Sequence, residues 1–406
     1  MTHLRSLTRS TFTWTALVLG LGLVQTGCSG SAEEESPTPS ASATPEVTPT
    51  PSPVPARCGE GLKELDGACV ADIPAEWTQI IPGGDTICSR GTEFSYFVRG
   101  GTVNKLVIGF DGGGACWDAL SCSKANPTFS EAVTEGDNPN TLTDGVLDYN
   151  DPDNPFKDWY AVIIPYCTGD IHWGDNVATY YDDEGNANVI HHKGFINGQA
   201  VMKWIYEHFE APETIFMTGV SAGAYGSIAF APYVMEQYQQ SDVIQVGDCG
   251  AGVVTQEFLA TGITNWDAQK NFPLEEIREA DLIELQLNDV YIAVAEAYPY
   301  QLVGQYNTAN DWNQRYYYEL MSGDTAGWSA LMFESMDIIA EAVPNFRYYV
   351  AGGERHGILP YEEFYTYTVG DVSVRDWFAD IVSGVDVKNT KCSSCAEPET
   401  FRLPAN

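Results

Sequence analysis

Short apolar segments alternate with longer segments of helical periodicity along most of this chain. Six segments are rich in β-branched and aromatic residues, as buried strands are: 105–110, 160–166, 214–220, 243–248, 301–306 and 346–353. Helical candidates follow at 197–209, directly after Ser221, and at 287–298, 327–343 and 373–384. This alternation predicts βαβ units and an α/β fold, with a mostly parallel sheet and helices on both faces. Active sites in such folds lie at the carboxyl ends of the strands.

Size and charge narrow the classes of protein that this chain can represent. With 406 residues and 44% hydrophobic content, the chain can bury one large core. The sequence contains no internal repeat at the period of a solenoid. Its formal net charge of −36 repels polyanions, so we expect no nucleic-acid partner. The same charge disfavours a strongly anionic polysaccharide as the preferred ligand.

The N-terminus predicts export. Arg5 and Arg9 precede a short apolar segment, as in a secretory signal, and we assign residues 1–27 to a signal peptide. The sequence LVQTGC resembles a bacterial lipoprotein signal in which Cys28 is lipidated, although Gln25 departs from the pattern; ordinary signal cleavage is the alternative. Residues 28–56, rich in Pro, Ser and Thr, predict an extended tether.

The predicted location is therefore the cell envelope, with a lipid anchor at the cell surface or outer membrane, or secretion into the medium. Membrane contact is expected only through the lipid on Cys28. Cysteine usage agrees with export, because ten cysteines in a chain with a signal peptide imply disulfides.

Setting Cys28 aside leaves nine cysteines, so at least one is unpaired. Cys58 and Cys69 are predicted to close a small hairpin over residues 57–75, ahead of a main domain at 76–406. Cys392 and Cys395 form a CxxC sequence without a second such pair, which favours a structural disulfide over a zinc site. The other pairings stay open.

Ser221 lies in Gly219-Val220-Ser221-Ala222-Gly223, a GxSxG sequence between a predicted strand and a predicted helix. In that context the serine occupies a sharp turn with its hydroxyl exposed, as a nucleophile does. An ordinary glycine-rich turn is the alternative. A second glycine-rich loop, FDGGGACW, follows the strand at 105–110 and suits the other half of an oxyanion hole.

A serine nucleophile needs a base and a carboxylate to orient that base. In hydrolases with this turn the chain order is nucleophile, acid, base, and of the six histidines His356 alone follows Ser221. Asp311, after the strand at 301–306, is the favoured acid. Asp248, at the end of the strand at 243–248, is its rival.

Several motifs together resemble the pectin acetylesterase family, which includes Notum-like carboxylesterases. DGGGACW is similar to the family's glycine-rich element, YCTGDIHWG to its YC-x-GD element, GVSAGAYGS to its nucleophile segment, YNTANDWNQ to its acid segment, and GERHGILP to the histidine loop of bacterial members. The likeness covers roughly residues 77–392. It implies an α/β-hydrolase-like fold over residues 76–406, here the catalytic domain.

The resemblance also implies roles for individual residues. Ser221 is the expected nucleophile, Asp311 the orienting acid and His356 the base, with backbone N–H groups of Gly113, Gly114 and Ala222 as the oxyanion hole. Five residues are expected to bind substrate: Asp111, Ala115, Trp117, His172 and Trp173. Ala115 and Val220 depart from the family pattern, which has Trp and Cys at these positions; this affects substrate identity more than mechanism.

The expected activity is serine carboxylic-ester hydrolysis that removes acetyl or other short acyl groups from a glycan or small ester. The alternatives are a lipase-like or polyester hydrolase of longer acyl chains, and a catalytically silent surface binding protein on the same scaffold. No cofactor or metal is expected: a histidine cluster of His172, His191 and His192 and a calcium loop at 147–158 are weaker interpretations. The oligomeric state stays open.

Overall fold

A computed structural model describes residues 57–142 and 144–400. The predicted signal peptide at 1–27 and tether at 28–56, including Cys28, lie outside the described residues. The described residues form one compact unit. Among the helices in the described part of the chain, none has the length and apolar character needed to span a bilayer.

The described residues form strands that we number in chain order. They are β1 (Leu62–Leu65), β2 (Ala68–Ala71), β3 (Thr78–Ile80), β4 (Tyr96–Arg99), β5 (Lys105–Phe110), β6 (Tyr160–Ile164), β7 (Asn176–Tyr181), β8 (Ala187–His192), β9 (Thr214–Val220), β10 (Asp242–Asp248), β11 (Leu302–Thr308), β12 (Phe346–Ala351), β13 (Tyr367–Val369), β14 (Val372–Ser373), β15 (Thr390–Lys391) and β16 (Glu399–Thr400).

The α-helices lie mainly between the long strands. They are α1 (Gly194–His208), α2 (Ala222–Gln237), α3 (Gln256–Trp266), α4 (Glu275–Arg278), α5 (Leu287–Ala297), α6 (Trp312–Leu320), α7 (Trp328–Ala342) and α8 (Val374–Val382). The sequence predicted the positions of α1, α2, α5, α7 and α8, with ends that differ by a few residues.

Nine strands form the central sheet, in the order β15-β12-β11-β10-β9-β5-β6-β4-β3. Pairing is parallel from β15 to β6, whereas β4 and β3 add an antiparallel edge. All six predicted strands are present in the parallel part. The predicted α/β class and mostly parallel sheet are therefore confirmed.

Helices cover both faces of this sheet. Along β9, the side chains of Ile215 and Met217 pack into one hydrophobic cluster, with α2, α5 and α7, whereas Phe216 packs into a second cluster with α8. This alternation follows from the two-residue period of a strand. Because both faces are covered, the parallel strands are apolar over most of their length, which is why they were recognisable in the sequence.

Four disulfides join the cysteines of the described residues: Cys58–Cys69, Cys88–Cys167, Cys116–Cys122 and Cys392–Cys395. The predicted pairs at 58/69 and 392/395 are thus confirmed. Within this part of the chain Cys249 is the unpaired cysteine, and it is buried. The disulfides fit the oxidising compartment expected for an exported protein.

Candidate active site

Ser221 lies in the turn that joins β9 to α2. Its backbone has φ 58° and ψ −121°, a conformation that residues with a side chain adopt rarely. A Cβ on Gly219 would collide with the backbone of Gly223, and a Cβ on Gly223 would collide with the carbonyl of Phe110. The two glycines of GxSxG are therefore required by close packing of the turn against β5, as the sequence pattern predicts.

Asp311 and His356 come together from the ends of two neighbouring strands. Asp311 follows β11 and caps α6, where its Oδ1 accepts the backbone N–H groups of Asn313 (2.9 Å) and Gln314 (3.0 Å). Its two carboxylate oxygens lie 3.0 and 2.9 Å from Nδ1 of His356. The Asp311 side chain is fully buried and that of His356 is 17% exposed. The helix cap fixes the carboxylate, and the carboxylate fixes the imidazole.

The second ring nitrogen of His356, Nε2, faces the thiol of Cys249 at 3.7 Å. Cys249 and Ser221 both line the same pocket. Among the described residues, Nε2 of His356 contacts this thiol and makes no hydrogen bond with the Ser221 hydroxyl. Burial raises the pKa of the Cys249 thiol well above its usual range, so the group facing the histidine is a neutral thiol.

The pocket beside Ser221 is largely apolar. Its empty space, including the open mouth, is about 540 Å³. Residues from α3, α5, α6 and the segment after β10 line its apolar part: Val253, Val254, Phe258, Leu287, Tyr317 and Met321. A pocket of this composition suits the hydrocarbon part of an acyl group.

The glycine-rich loop after β5 borders the same pocket. Gly114 lines it and has a φ of 77°, and Ala115 lines it as well. Ala222, the first residue of α2, is also in the lining, where its N–H group has no partner within the helix. Gly113 is outside the lining, and its carbonyl accepts the N–H of Ser130 at 2.8 Å.

Asp111 begins this loop without reaching the pocket lining. Burial raises the pKa of its carboxyl to about 8. Its backbone carbonyl lies 2.9 Å from Nε2 of His172, whose pKa is lowered to about 4 by burial. The neutral imidazole of His172 therefore donates to the loop backbone and supports the loop from behind.

Three of the five expected substrate-binding side chains are buried behind the pocket. Trp117 packs edge-on against Phe258, with ring centroids 4.7 Å apart, and Trp173 donates its indole N–H to the carbonyl of Tyr225 at 2.8 Å. Both contacts are to pocket residues, so these tryptophans and His172 lie one layer further from a bound ligand. Of the expected five, the structure brings Ala115 to the lining.

Asp248, the rival acid, contacts backbone rather than the imidazole. Its Oδ2 accepts the N–H groups of Ile358 (2.8 Å) and Leu359 (2.9 Å). Burial raises the pKa of this carboxyl to about 6. Nδ1 of His356 is hydrogen-bonded to Asp311, so of the two candidate acids it is Asp311 that contacts the imidazole.

Two sets of side chains bring potential metal ligands together: Cys249, Asp311 and His356, and His192 with Cys116 and Cys122, which are joined in a disulfide. Atoms of Cys249, Asp311 and His356 lie within 4.8 Å of one another, a donor set that metals accept, although the imidazole is already bound to the carboxylate. The histidines near residue 191 do not form a cluster of free ligands: His192 contacts the carbonyl of Thr168 (3.0 Å) and the hydroxyl of Tyr180 (2.9 Å) with its two ring nitrogens.

The loop at 147–158 forms turns closed by its own side chains. Oδ1 of Asp148 accepts the N–H of Asn150 at 2.9 Å, and Oδ1 of Asp151 accepts the N–H of Asp153 at 2.8 Å. These carboxylates stabilise the turns, as short acidic loops commonly do.

The comparisons with known proteins agree with the motifs. A family model described as "PAE: Pectinacetylesterase" matches residues 80–270. The palmitoleoyl-protein carboxylesterase NOTUM of Schmidtea mediterranea is 26% identical over 144 residues, which are 34% of this chain and 26% of that protein. The matched segment therefore spans about a quarter of the curated relative's length.

Two crystal forms of the Wnt deacylase Notum from Drosophila share the fold. They superpose with TM-scores of 0.55 and 0.51 at 17% and 16% identity, covering 79% of this chain and 97% and 98% of theirs. The predicted Notum-like α/β-hydrolase fold is confirmed by this likeness. The predicted resemblance to the pectin acetylesterase and Notum-like family is likewise confirmed.

Proposed function

We propose that this protein is a serine carboxylic-ester hydrolase. Ser221 is the nucleophile, His356 the general base and Asp311 the acid that orients the imidazole. The family model and the Notum relatives support the reaction class. The observation that carries the mechanism is the hydrogen bond between Asp311 and Nδ1 of His356, at the end of the sheet where Ser221 lies in its strained turn.

The reaction has two steps. Nε2 of His356 takes the proton of Ser221 as the hydroxyl attacks the ester carbonyl, and the alcohol leaves with that proton. A water molecule then attacks the acyl-enzyme and gives a proton to Nε2. As the acyl–oxygen bond to Ser221 breaks, Nε2 returns that proton to the serine oxygen and the carboxylic acid is released. The N–H groups of Ala222 and of Gly113 or Gly114 stabilise the negative oxygen in both steps.

Nε2 must leave the thiol of Cys249 for the hydroxyl of Ser221 before the first proton transfer. Hydrogen bonds of this kind are often loose in a free enzyme and tighten when substrate binds. The surface exposure of the imidazole, 17%, leaves room for a small rotation or shift of the ring.

The substrate is proposed to be an ester of an acetyl or other short acyl group on a glycan or small alcohol. A second candidate, hydrolysis of longer acyl chains, is favoured by the apolar lining that continues from Ser221 to Phe258, Leu287 and Met321. It also agrees with the name of the Schmidtea relative, a palmitoleoyl-protein carboxylesterase.

A series of p-nitrophenyl esters from two to sixteen carbons separates the two candidates. The short-acyl proposal expects kcat/KM to be greatest at two to four carbons, with acetate release from acetylated polysaccharides. A maximum at eight carbons or more supports the second candidate. A catalytically silent binding protein would hydrolyse none of the esters and would not react with a fluorophosphonate.

The remaining proposals concern location. We propose that residues 1–27 direct export and that Cys28 carries a lipid, with residues 28–56 as a tether between the membrane and the folded unit. Incorporation of labelled palmitate into the wild-type chain, and its loss in Cys28→Ala, tests the anchor.

A further inference from the structure

Asp248 contacts both halves of the candidate active site. It is the last residue of β10, the strand between β9 and β11 in the central sheet. Its backbone carbonyl accepts the N–H of Ser221 at 2.8 Å. Its side-chain Oδ2 accepts the N–H groups of Ile358 at 2.8 Å and Leu359 at 2.9 Å, which directly follow the histidine loop.

The two backbone segments that Asp248 contacts differ in strain. Ser221 has a φ of 58°, which a residue with a side chain adopts rarely and keeps only when surrounding contacts fix it. Gly357, next to His356, has a φ of 76°, which glycine adopts without strain, so the position of its loop depends on contacts such as those with Asp248. The Asp248 side chain reaches this loop directly: a Cβ on Gly357 would lie 3.5 Å from Oδ2.

Burying the Asp248 carboxyl at this position costs folding free energy, which indicates that the side chain does more than fill space. The Asp248 side chain is completely buried, and its Oδ1 has no hydrogen-bond partner among the described residues. A buried carboxylate with a free oxygen lowers stability relative to an apolar group of similar shape. Residues that cost stability in this way concentrate at functional sites.

We propose that Asp248 is a positioning residue that holds the Ser221 turn and the His356 loop at the distance needed for proton transfer. It acts through backbone groups and does not touch the imidazole, since Nδ1 is bound to Asp311 and Nε2 faces Cys249. The proposal rests on the proposed function, because it assigns Asp248 to the same reaction.

Two substitutions at residue 248 test the role. Asp248→Ala leaves the N–H groups of Ile358 and Leu359 without their acceptor, so the histidine loop shifts. A displacement of about 1 Å costs roughly 100-fold in rate, and we expect kcat for p-nitrophenyl acetate to fall about that much, with KM within about threefold of wild type. Asp248→Asn keeps an acceptor oxygen at the same place, and its kcat stays within about fivefold of wild type.

The matched control is Asp242→Ala, at the exposed start of the same strand. A residue needed only for folding would alter the yield or the melting temperature, while folded molecules kept their kcat and their rate of fluorophosphonate labelling. A folded Asp248→Ala protein with wild-type kcat overturns the proposal. So does an Asp248→Asn protein as impaired as the alanine variant.

If Asp248→Ala does not fold, Gly357→Ala is a second substitution that displaces the His356 loop. A Cβ there would meet Cγ1 of Val220 at 3.0 Å in a backbone conformation that alanine disfavours, so the loop must move. We expect a loss of kcat of at least tenfold, and wild-type kcat overturns the proposal. Activity retained by Ser221→Ala would instead contradict the proposed function itself, so the two failures are distinguishable.

Discussion

Cys249 and His356 are in contact across the candidate active site: the thiol sulfur lies 3.7 Å from Nε2, the ring nitrogen that Asp311 leaves free. The thiol thus occupies the place next to Nε2 that a nucleophile's hydroxyl needs during proton transfer. The buried thiol stays neutral because its pKa is raised well above the usual range. A neutral thiol is a weak hydrogen-bond donor, so it holds the imidazole only loosely.

We therefore expect Cys249→Ala to retain activity. With the weak thiol contact removed, Nε2 is free to meet Ser221, and kcat for p-nitrophenyl acetate should lie within about threefold of wild type or above it. Steady-state kinetics of the purified variant checks this. A loss of more than about tenfold would mean that the thiol itself takes part in the reaction.

Asp311→Asn should abolish most of the activity and leave the fold intact. Asparagine can still cap α6 through its oxygen. Its amide N–H group then faces Nδ1 and donates to it, which favours the tautomer of His356 with the proton on Nε2, where the base must be free. Loss of the orienting carboxylate costs about 10⁴-fold in kcat in a comparable triad, and we expect a fall of about 10³- to 10⁴-fold here. The measurement is kcat together with the melting temperature.

Asp324→Asn is the control for this substitution, because Asp324 also caps a helical turn, at Ala326, away from His356. It should behave as wild type. If Asp311→Asn kept more than a tenth of the wild-type kcat, another group would have to orient the imidazole.

Asp248→Asn should change how stability depends on pH. Burial raises the pKa of Asp248 to about 6, so folding favours its protonated form. That contribution is present below the unfolded pKa of about 4 and is lost as pH rises through about 6. Asparagine does not titrate, so the variant should gain stability relative to wild type between pH 4 and pH 8, by up to roughly 3 kcal/mol.

Denaturant unfolding at pH 4.5 and pH 8 measures this difference. The charged and titratable groups that act on Asp248 are His356, Asp311, Cys249 and Tyr306. They are present in both proteins, so their own titration largely cancels. An equal stability difference at both pH values would show that Asp248 does not titrate as described.

Removing the Cys88–Cys167 disulfide should destabilise the protein more than removing Cys392–Cys395. The first joins residues 79 apart in sequence and the second residues 3 apart. Loop-closure entropy predicts a loss of about 4.5 kcal/mol for paired alanine substitutions at the first site and about 2 kcal/mol or less at the second. Equal losses in denaturant unfolding would contradict this ranking.

The sequence was most informative where burial dictated composition. The parallel strands are covered on both faces, so they appear as mostly apolar segments, and the six predicted ones are all present. The antiparallel edge strands β3 and β4 and the hairpin of β7 and β8 were not predicted. In β7 and β8 the exposed positions include the apolar residues Val177, Tyr181 and Val189, so polar and apolar side chains do not alternate and the strand period gives no clear signal.

Within the site, chain order selected His356 and favoured Asp311 as the acid, with Asp248 as its rival, and the side chains of Asp311 and His356 meet in the structure. The sequence held no physical ground for excluding Asp248, because both acids lie at the carboxyl ends of parallel strands, at the same edge of the sheet. The sequence did not predict the contact between Cys249 and Nε2. That contact depends on the backbone conformation just after β10, where Cys249 has a φ of 51°. Phe258 was missed because α3 was not recognised as a helix.

Covalent labelling by a fluorophosphonate, followed by mass spectrometry of the labelled peptide, shows whether Ser221 is the nucleophile. We expect stoichiometric modification of Ser221 in the wild-type protein, with loss of p-nitrophenyl acetate hydrolysis in step with labelling. In Ser221→Ala we expect neither labelling nor hydrolysis. Hydrolysis by Ser221→Ala at near the wild-type rate, or a label found on another residue, would contradict the assignment of Ser221 as the nucleophile.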